Sequence, residues 1–320
     1  MEQVNPLRFR IGTRGSKLAL QQALQVQEAL RAQFPQAEVE LQVIHTVGDR
    51  ILDRGLSQIG DKGLFTSELE QALLRDEIDL AVHSMKDLPG DMAESFTLAA
   101  VLEREFPADV FISTRYDTLE ALPLGAVVGT SSLRRAAQLK YWRPDLQIVN
   151  VRGNVETRLR KLTEQSLDGI LLAWAGMERL GLEKQITQIL PLERMLPAVG
   201  QGAIGVQMRK EHPLLGAVQQ LNHEETSRCV RAERAFLQRL EGGCQVPLAA
   251  WARCEEGKLH ITGRVIQLEG KKLFAAECVG EMETPEILGL KVADALLEQG
   301  AQVVFEEIRA RQEASHGKED

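Results

Sequence analysis

Between residues 9 and 206 the chain returns again and again to one unit: a short apolar run, a turn rich in glycine or hydroxyls, then a stretch of helical period. This alternation constrains the fold more than any other feature. Strands separated by helices pair in parallel, and the helices cover the faces of the sheet. The period predicts strands at 9–12, 38–46, 78–82, 98–102, 110–113, 126–129, 146–151 and 170–173, and a first helix at 17–34. Ser67 and Glu70 read as a capping box for a further helix. The glycine-rich stretch 196–206 reads as a tightly packed return strand and a hinge. After about residue 222 the pattern changes. A helix at 224–240 precedes antiparallel strands at 248–254, 259–268 and 273–279, with turns at Glu256-Gly257 and Glu269-Gly270 and a closing helix at 285–299. The charged tail 311–320 is expected to fray.

Three regions follow. Residues 1–103 with 200–218 form one α/β domain, 108–196 a second, and 222–320 a small α+β domain with an antiparallel sheet. At 320 residues and 44% hydrophobic content, each can bury a core. No apolar run reaches membrane-spanning length, and 1–10 lacks an apolar secretory core. A cytoplasmic protein is the expectation.

Polar residues gather where predicted strands end. Arg14 and Ser16 follow the first strand, Ser16 as an N-cap with free backbone N–H groups that suit an anion. His83, Ser84, Lys86 and Asp87 follow another strand. Asp87 beside a cation fits either a functional carboxylate or a turn residue, and His83 either a base or, the commoner case, a satisfied structural histidine. Thr130, Ser131, Ser132, Arg134 and Arg135 follow a third strand, Arg152 and Arg158 a fourth, and Arg179 a fifth. Any one of these arginines fits an ordinary surface turn. Their recurrence at equivalent places predicts a cleft for several carboxylates or phosphates.

Net charge agrees. The whole chain is −8, which excludes a general nucleic-acid binder. Yet 130–161 holds eight basic residues opposed only by Asp145 and Glu156, which suits a small polyanion. The stretch 48–63, rich in glycine and charge, reads as a mobile lid. Cys229, Cys244, Cys254 and Cys278 form no C-x-x-C pair and have no histidine at metal spacing, so neither zinc nor disulfides are expected. Cys244 follows Gly242 and Gly243 and precedes Pro247. The residues alone leave it open between a packed small hydrophobe and an accessible thiol.

Taken together, these segments resemble the porphobilinogen deaminase family over nearly the whole chain. The resemblance rests on residues 12–20, 62–65, 83–89, 129–135, 151–155, 200–202 and 241–247, in the family's order. It departs at Asp61, where the family often has glycine, and at Ser67, where it often has lysine; both bear on gating rather than chemistry. The resemblance implies two α/β domains like those of periplasmic binding proteins, with a cleft between them and a third domain bearing the cofactor loop. It implies a transferase of tetrapyrrole (heme, porphyrin) biosynthesis that joins four porphobilinogen molecules with loss of ammonia and releases hydroxymethylbilane. It also implies a dipyrromethane cofactor held by a thioether to Cys244. Carried over, Asp87 is catalytic. Ser16, Ser84, Lys86, Asp87, Thr130, Ser131, Ser132, Arg134 and Arg135 bind the cofactor. Arg14, Phe65, Arg152, Arg158 and Arg179 bind substrate. No metal, nucleic-acid or membrane partner is implied, and a monomer is.

Two other readings compete. A non-enzymatic two-domain binder of small anions fits the α/β halves but needs neither Cys244 nor a third domain. A phosphate-handling transferase lacks G-x-x-x-x-G-K-[ST] and an acidic metal cluster.

Overall fold

The computed structural model describes residues 7–46, 66–240 and 246–316. Strands β1 (Arg8–Thr13), β2 (Glu38–Val43), β3 (Leu80–Ser84), β4 (Phe96–Val101) and β10 (Ile204–Arg209) form one sheet in the order β2-β1-β3-β10-β4. β1 runs parallel to β2 and β3, and β10 runs antiparallel to both neighbours. Helix α1 (Lys17–Gln33) covers one face through Ala23, Val26 and Leu30, spaced for one helical side. Helix α2 (Ser67–Leu74) covers the other through Leu69 and Leu73. β3 serves both faces by alternation: Leu80 and Val82 join the first cluster, Ala81 the second.

A second sheet repeats the plan. β5 (Asp109–Ile112), β6 (Val127–Gly129), β7 (Gln147–Val149), β8 (Gly169–Ala173) and β9 (Gln188–Ile189) run β7-β6-β8-β5-β9. Again three neighbours are parallel and the fourth strand reverses. In each sheet that reversed strand is the one entered from the other sheet: β5 after the outward crossover, β10 after the return. Helices α3 (Leu133–Trp142), α4 (Val155–Glu164) and α5 (Trp174–Arg179) connect its strands. The two crossovers touch, with Leu102 N donating to Ile204 O at 3.0 Å and Glu105 N to Gly202 O at 3.3 Å.

Beyond the short helix α6 (Leu215–Val218), helix α7 (Glu224–Arg239) leads to the antiparallel sheet β11 (Leu248–Glu255), β12 (Lys258–Ile266) and β13 (Leu273–Gly280). Helices α8 (Pro285–Glu298) and α9 (Gln302–His316) close the chain. α7 and α8 approach so closely that a Cβ on Gly289 would lie 2.0 Å from Ala232 O. Positive φ at Glu256, Gly257 and Gly270 makes both anticipated hairpin turns.

Several expectations change. The cap of α2 is Thr66, not Ser67, and its side chain makes no capping bond. Residues 302–316 are helical, so the frayed-tail reading fails for 311–316: Val304 and Ile308, one turn apart, anchor α9 in the third core. Residues 196–203 are irregular backbone with turns at 199–202 rather than strand; the strand starts at Ile204, after positive φ at Gly200 and Gly202. β9 is two residues long and carried no periodic signal. The proposed lid, Phe65 and Cys244 lie outside the described residues.

Candidate active site

The first sheet supplies a carboxylate and a cation at the end of β3. Ser84 closes that strand, and its Oγ lies 2.7 Å from Gln22 Nε2 and 3.0 Å from Gln22 Oε1 on α1. Residues Met85–Asp87 then make a 3-10 turn. Buried Met85 anchors it and leaves Asp87 exposed. The neighbouring Lys86 is half-buried, and loss of solvent around its ammonium lowers its pKa to about 8; Asp87 and Asp109 oppose that fall, and Arg135 and Arg134 add to it. His83, one residue before Ser84, is structural as expected. Burial drops it to about 4, and its Nε2 lies 3.0 Å from Gln207 Oε1. At the end of β1, Ser16 Oγ accepts from Ala19 N at 3.2 Å and caps α1, and Arg14 is close enough to His83 to help keep it neutral.

The second sheet delivers its polar turn at the same kind of place. Ser132 Oγ accepts from Arg135 N and caps α3, and Thr130 Oγ1 accepts from Ser132 N. Ser131 Oγ lies 2.6 Å from Asn150 Oδ1 and 2.5 Å from Val151 O. In the next turn Gly153 has φ +118°, and its oxygen accepts from Arg158 Nε at 2.7 Å. Arg152 is half-buried beside it. Burial lowers Arg158 to about 10, with Arg135 adding to the fall and Asp87 opposing it. Asp87, Lys86, Arg134, Arg135 and Arg158 thus act on one another electrostatically, although they come from different sheets.

Two anticipated residues are spent otherwise. Arg134 Nη1 donates to Asp109 Oδ2 at 2.6 Å and to Leu196 O at 2.7 Å, and Arg135 donates to Asp109 Oδ1 and Leu171 O. Buried Asp109 is held far below the ordinary carboxylate range by both guanidiniums, against its burial. Gln201 Nε2 donates to the same carboxylate at 2.9 Å. Arg179 stands apart from the group: Nε donates to Gln25 Oε1 at 3.2 Å and Nη2 to Gly202 O at 2.7 Å, joining α5 to α1 and to the return crossover.

Sequence reasoning passed over Asp109, Gln201 and Glu233. Glu233, wholly buried on α7, takes Arg104 Nη1 at 2.6 Å, Ala252 N at 2.8 Å and Gly200 N at 2.6 Å. It ties both crossovers to the third domain. A signal existed: Glu233 falls three residues after Val230 and three before Phe236, on the helix's apolar side, where an acid needs partners.

Two pyrroles that each bear an acetate and a propionate bring four carboxylates, and the site has cations to meet them. Among the described residues Lys86 and Arg158 form no ion pair, and two arginines share the one Asp109 carboxylate. The residues fit a polycarboxylate cofactor.

Residues 9–216 match the family described as porphobilinogen deaminase, dipyromethane cofactor binding domain, and 227–298 match its C-terminal domain. A porphobilinogen deaminase of Syntrophomonas wolfei is 51% identical over 94% of this chain and 99% of its own. One of Desulforudis audaxviator is 52% identical over 94% and 97%. Among solved structures, the methionine binding protein MetQ is 13% identical, with a TM-score of 0.44 over 67% of this chain and 89% of its own. The three-part α/β fold gathers several cations around one exposed carboxylate. The chain belongs to the porphobilinogen deaminase family.

Proposed function

We propose that the chain is a hydroxymethylbilane-forming transferase. It joins four porphobilinogen molecules head to tail with loss of ammonia, then frees the product by hydrolysis. Dipyrromethane, bound through a thioether to Cys244, supplies the primer pyrrole from which the chain grows. The observation that carries this reading is the pair of half-buried cations, Lys86 and Arg158, which form no ion pair among the described residues and interact electrostatically with the exposed carboxylate of Asp87.

Asp87 accepts pyrrole N–H groups and balances positive charge as ammonia departs. Lys86, Arg158 and the excess charge of Arg134 and Arg135 hold acetate and propionate groups. Arg14 and Arg152 extend the same surface. Ser16, Ser84, Thr130, Ser131 and Ser132 shape the turns that carry these groups. Arg179 serves substrate through the crossover it grips, Phe65 stacks near the pyrroles, and 48–63 is the lid. The domain division is 1–103 with 200–218, 108–196, and 222–320. The protein works as a cytoplasmic monomer without nucleic acid; no helix among the described residues is long and apolar enough to cross a membrane.

The intact mass of the purified protein tests this. An excess equal to two linked pyrrole units, lost on Cys244→Ser, is expected. A bare mass that stays unchanged after incubation with porphobilinogen overturns the reading.

A further inference from the structure

The third domain holds two thiols that the proposed chemistry does not use. Cys229 Sγ on α7 lies 3.7 Å from Cys254 Sγ on β11. Both are free, and they differ in access: Cys229 is buried and Cys254 half-buried. They line a cavity of about 370 Å³ whose other wall is the outward crossover, with Arg104 and Phe106, and which Trp251 and Thr226 complete. A small reagent entering it meets Cys254 first and has Cys229 in van der Waals contact behind.

The pair is not a built metal site. Among the described residues the only close group of three ligating side chains is Asp76, Asp79 and His212, far from these thiols in sequence and fold. Arg10 closes that cluster on Asp79 and Arg209 on Asp76.

We propose that Cys229 and Cys254 form a thiol–disulfide exchange site that takes low-molecular-weight disulfides such as oxidised glutathione. Cys254 gives its proton to solvent, and its sulfur attacks one sulfur of the small disulfide. That S–S bond breaks and releases one small thiol. Cys229, deprotonated in turn, attacks Cys254 Sγ and expels the second small thiol. Two protein thiols are oxidised to one disulfide, and the small disulfide is reduced to two thiols. The sulfurs must close from contact to a bond length of about 2.05 Å, within reach of side-chain rotation. Burial pushes both thiols above their ordinary pKa, so the exchange is slow and selective rather than immediate. The bond spans 229–254, the segment that contains Cys244, and fastens α7 to β11 beneath the crossover.

The test is prolonged incubation of the native holoenzyme with oxidised glutathione, then alkylation, non-reducing digestion and mass spectrometry. The chain is expected to lose two hydrogens and to yield a cross-linked peptide pair joining Cys229 and Cys254. Cys254→Ser should abolish the cross-link, and Cys229→Ala should stop at a glutathione adduct on Cys254. Recovery of both cysteines alkylated overturns the proposal. So does a lasting adduct on Cys254 in the chain that retains Cys229.

Discussion

Asp109 Oδ1 receives Arg135 Nη2 at 2.7 Å, and neither side chain is more than 6% exposed. Because Arg134 occupies the other oxygen, one carboxylate serves two guanidiniums and one positive charge is left over. The second sheet therefore presents a fixed cation without a flexible side chain. Gln201, from the return crossover, hydrogen-bonds the same oxygen and couples that charge to the junction between the sheets.

Asp109→Asn should cost about 3–5 kcal/mol at pH 7, since it leaves two buried guanidiniums without their counter-charge. Urea unfolding measures it. The native carboxylate titrates below its unfolded value of about 3.9, so its contribution is present above that pH and is lost as pH falls through the native value. The gap between wild type and variant should therefore narrow below about pH 4. A gap that is constant from pH 7 to pH 3 would argue against the ion pair as its source.

Asp87→Asn should leave the fold intact, because the side chain is exposed at a turn, and change stability by no more than about 0.5 kcal/mol. Turnover should fall by roughly a hundred- to ten-thousand-fold. Thermal unfolding alongside hydroxymethylbilane production separates the two effects.

Lys86 loses its proton near pH 8 rather than at its ordinary value, so its charge is present below that pH and absent above. The rate at which cofactor-free chain takes up porphobilinogen should fall above pH 8. Lys86→Arg, which stays charged, should flatten the fall. Mass spectrometry of cofactor uptake at pH 7 and pH 9 reads the difference.

Gly202→Ala should destabilise by more than about 1 kcal/mol from its φ of +92° alone. The new Cβ would also sit 2.4 Å from Glu105 O, on the facing crossover. Calorimetry gives the loss. Because Gly202 O holds Arg179, the KM for porphobilinogen should rise as well.

The strand–turn–helix order, the antiparallel third domain, the placing of Ser16, Lys86 and Asp87 just past strand ends and that of Arg158 on the helix after the fourth such turn were legible in the chain. Those features rest on short-range physics: apolar period, cap chemistry and turn residues act over a few positions. The helix 302–316 escaped because its anchors, Val304 and Ile308, lie between the anticipated closing helix and the charged tail 311–320, and their role shows only once a core is there to receive them.

The sequence by itself determined that several basic side chains would stand at equivalent turns, and which segments carry the family's motifs. Only the tertiary structure decided how each cation is used. Asp109 lies 25 residues from Arg134, Arg179 grips a crossover 23 residues away, and Glu233 gathers contacts from Arg104 and Gly200. A charge's role depends on which opposite charge, and how much burial, the fold brings to it, and neither acts at a fixed spacing along the chain.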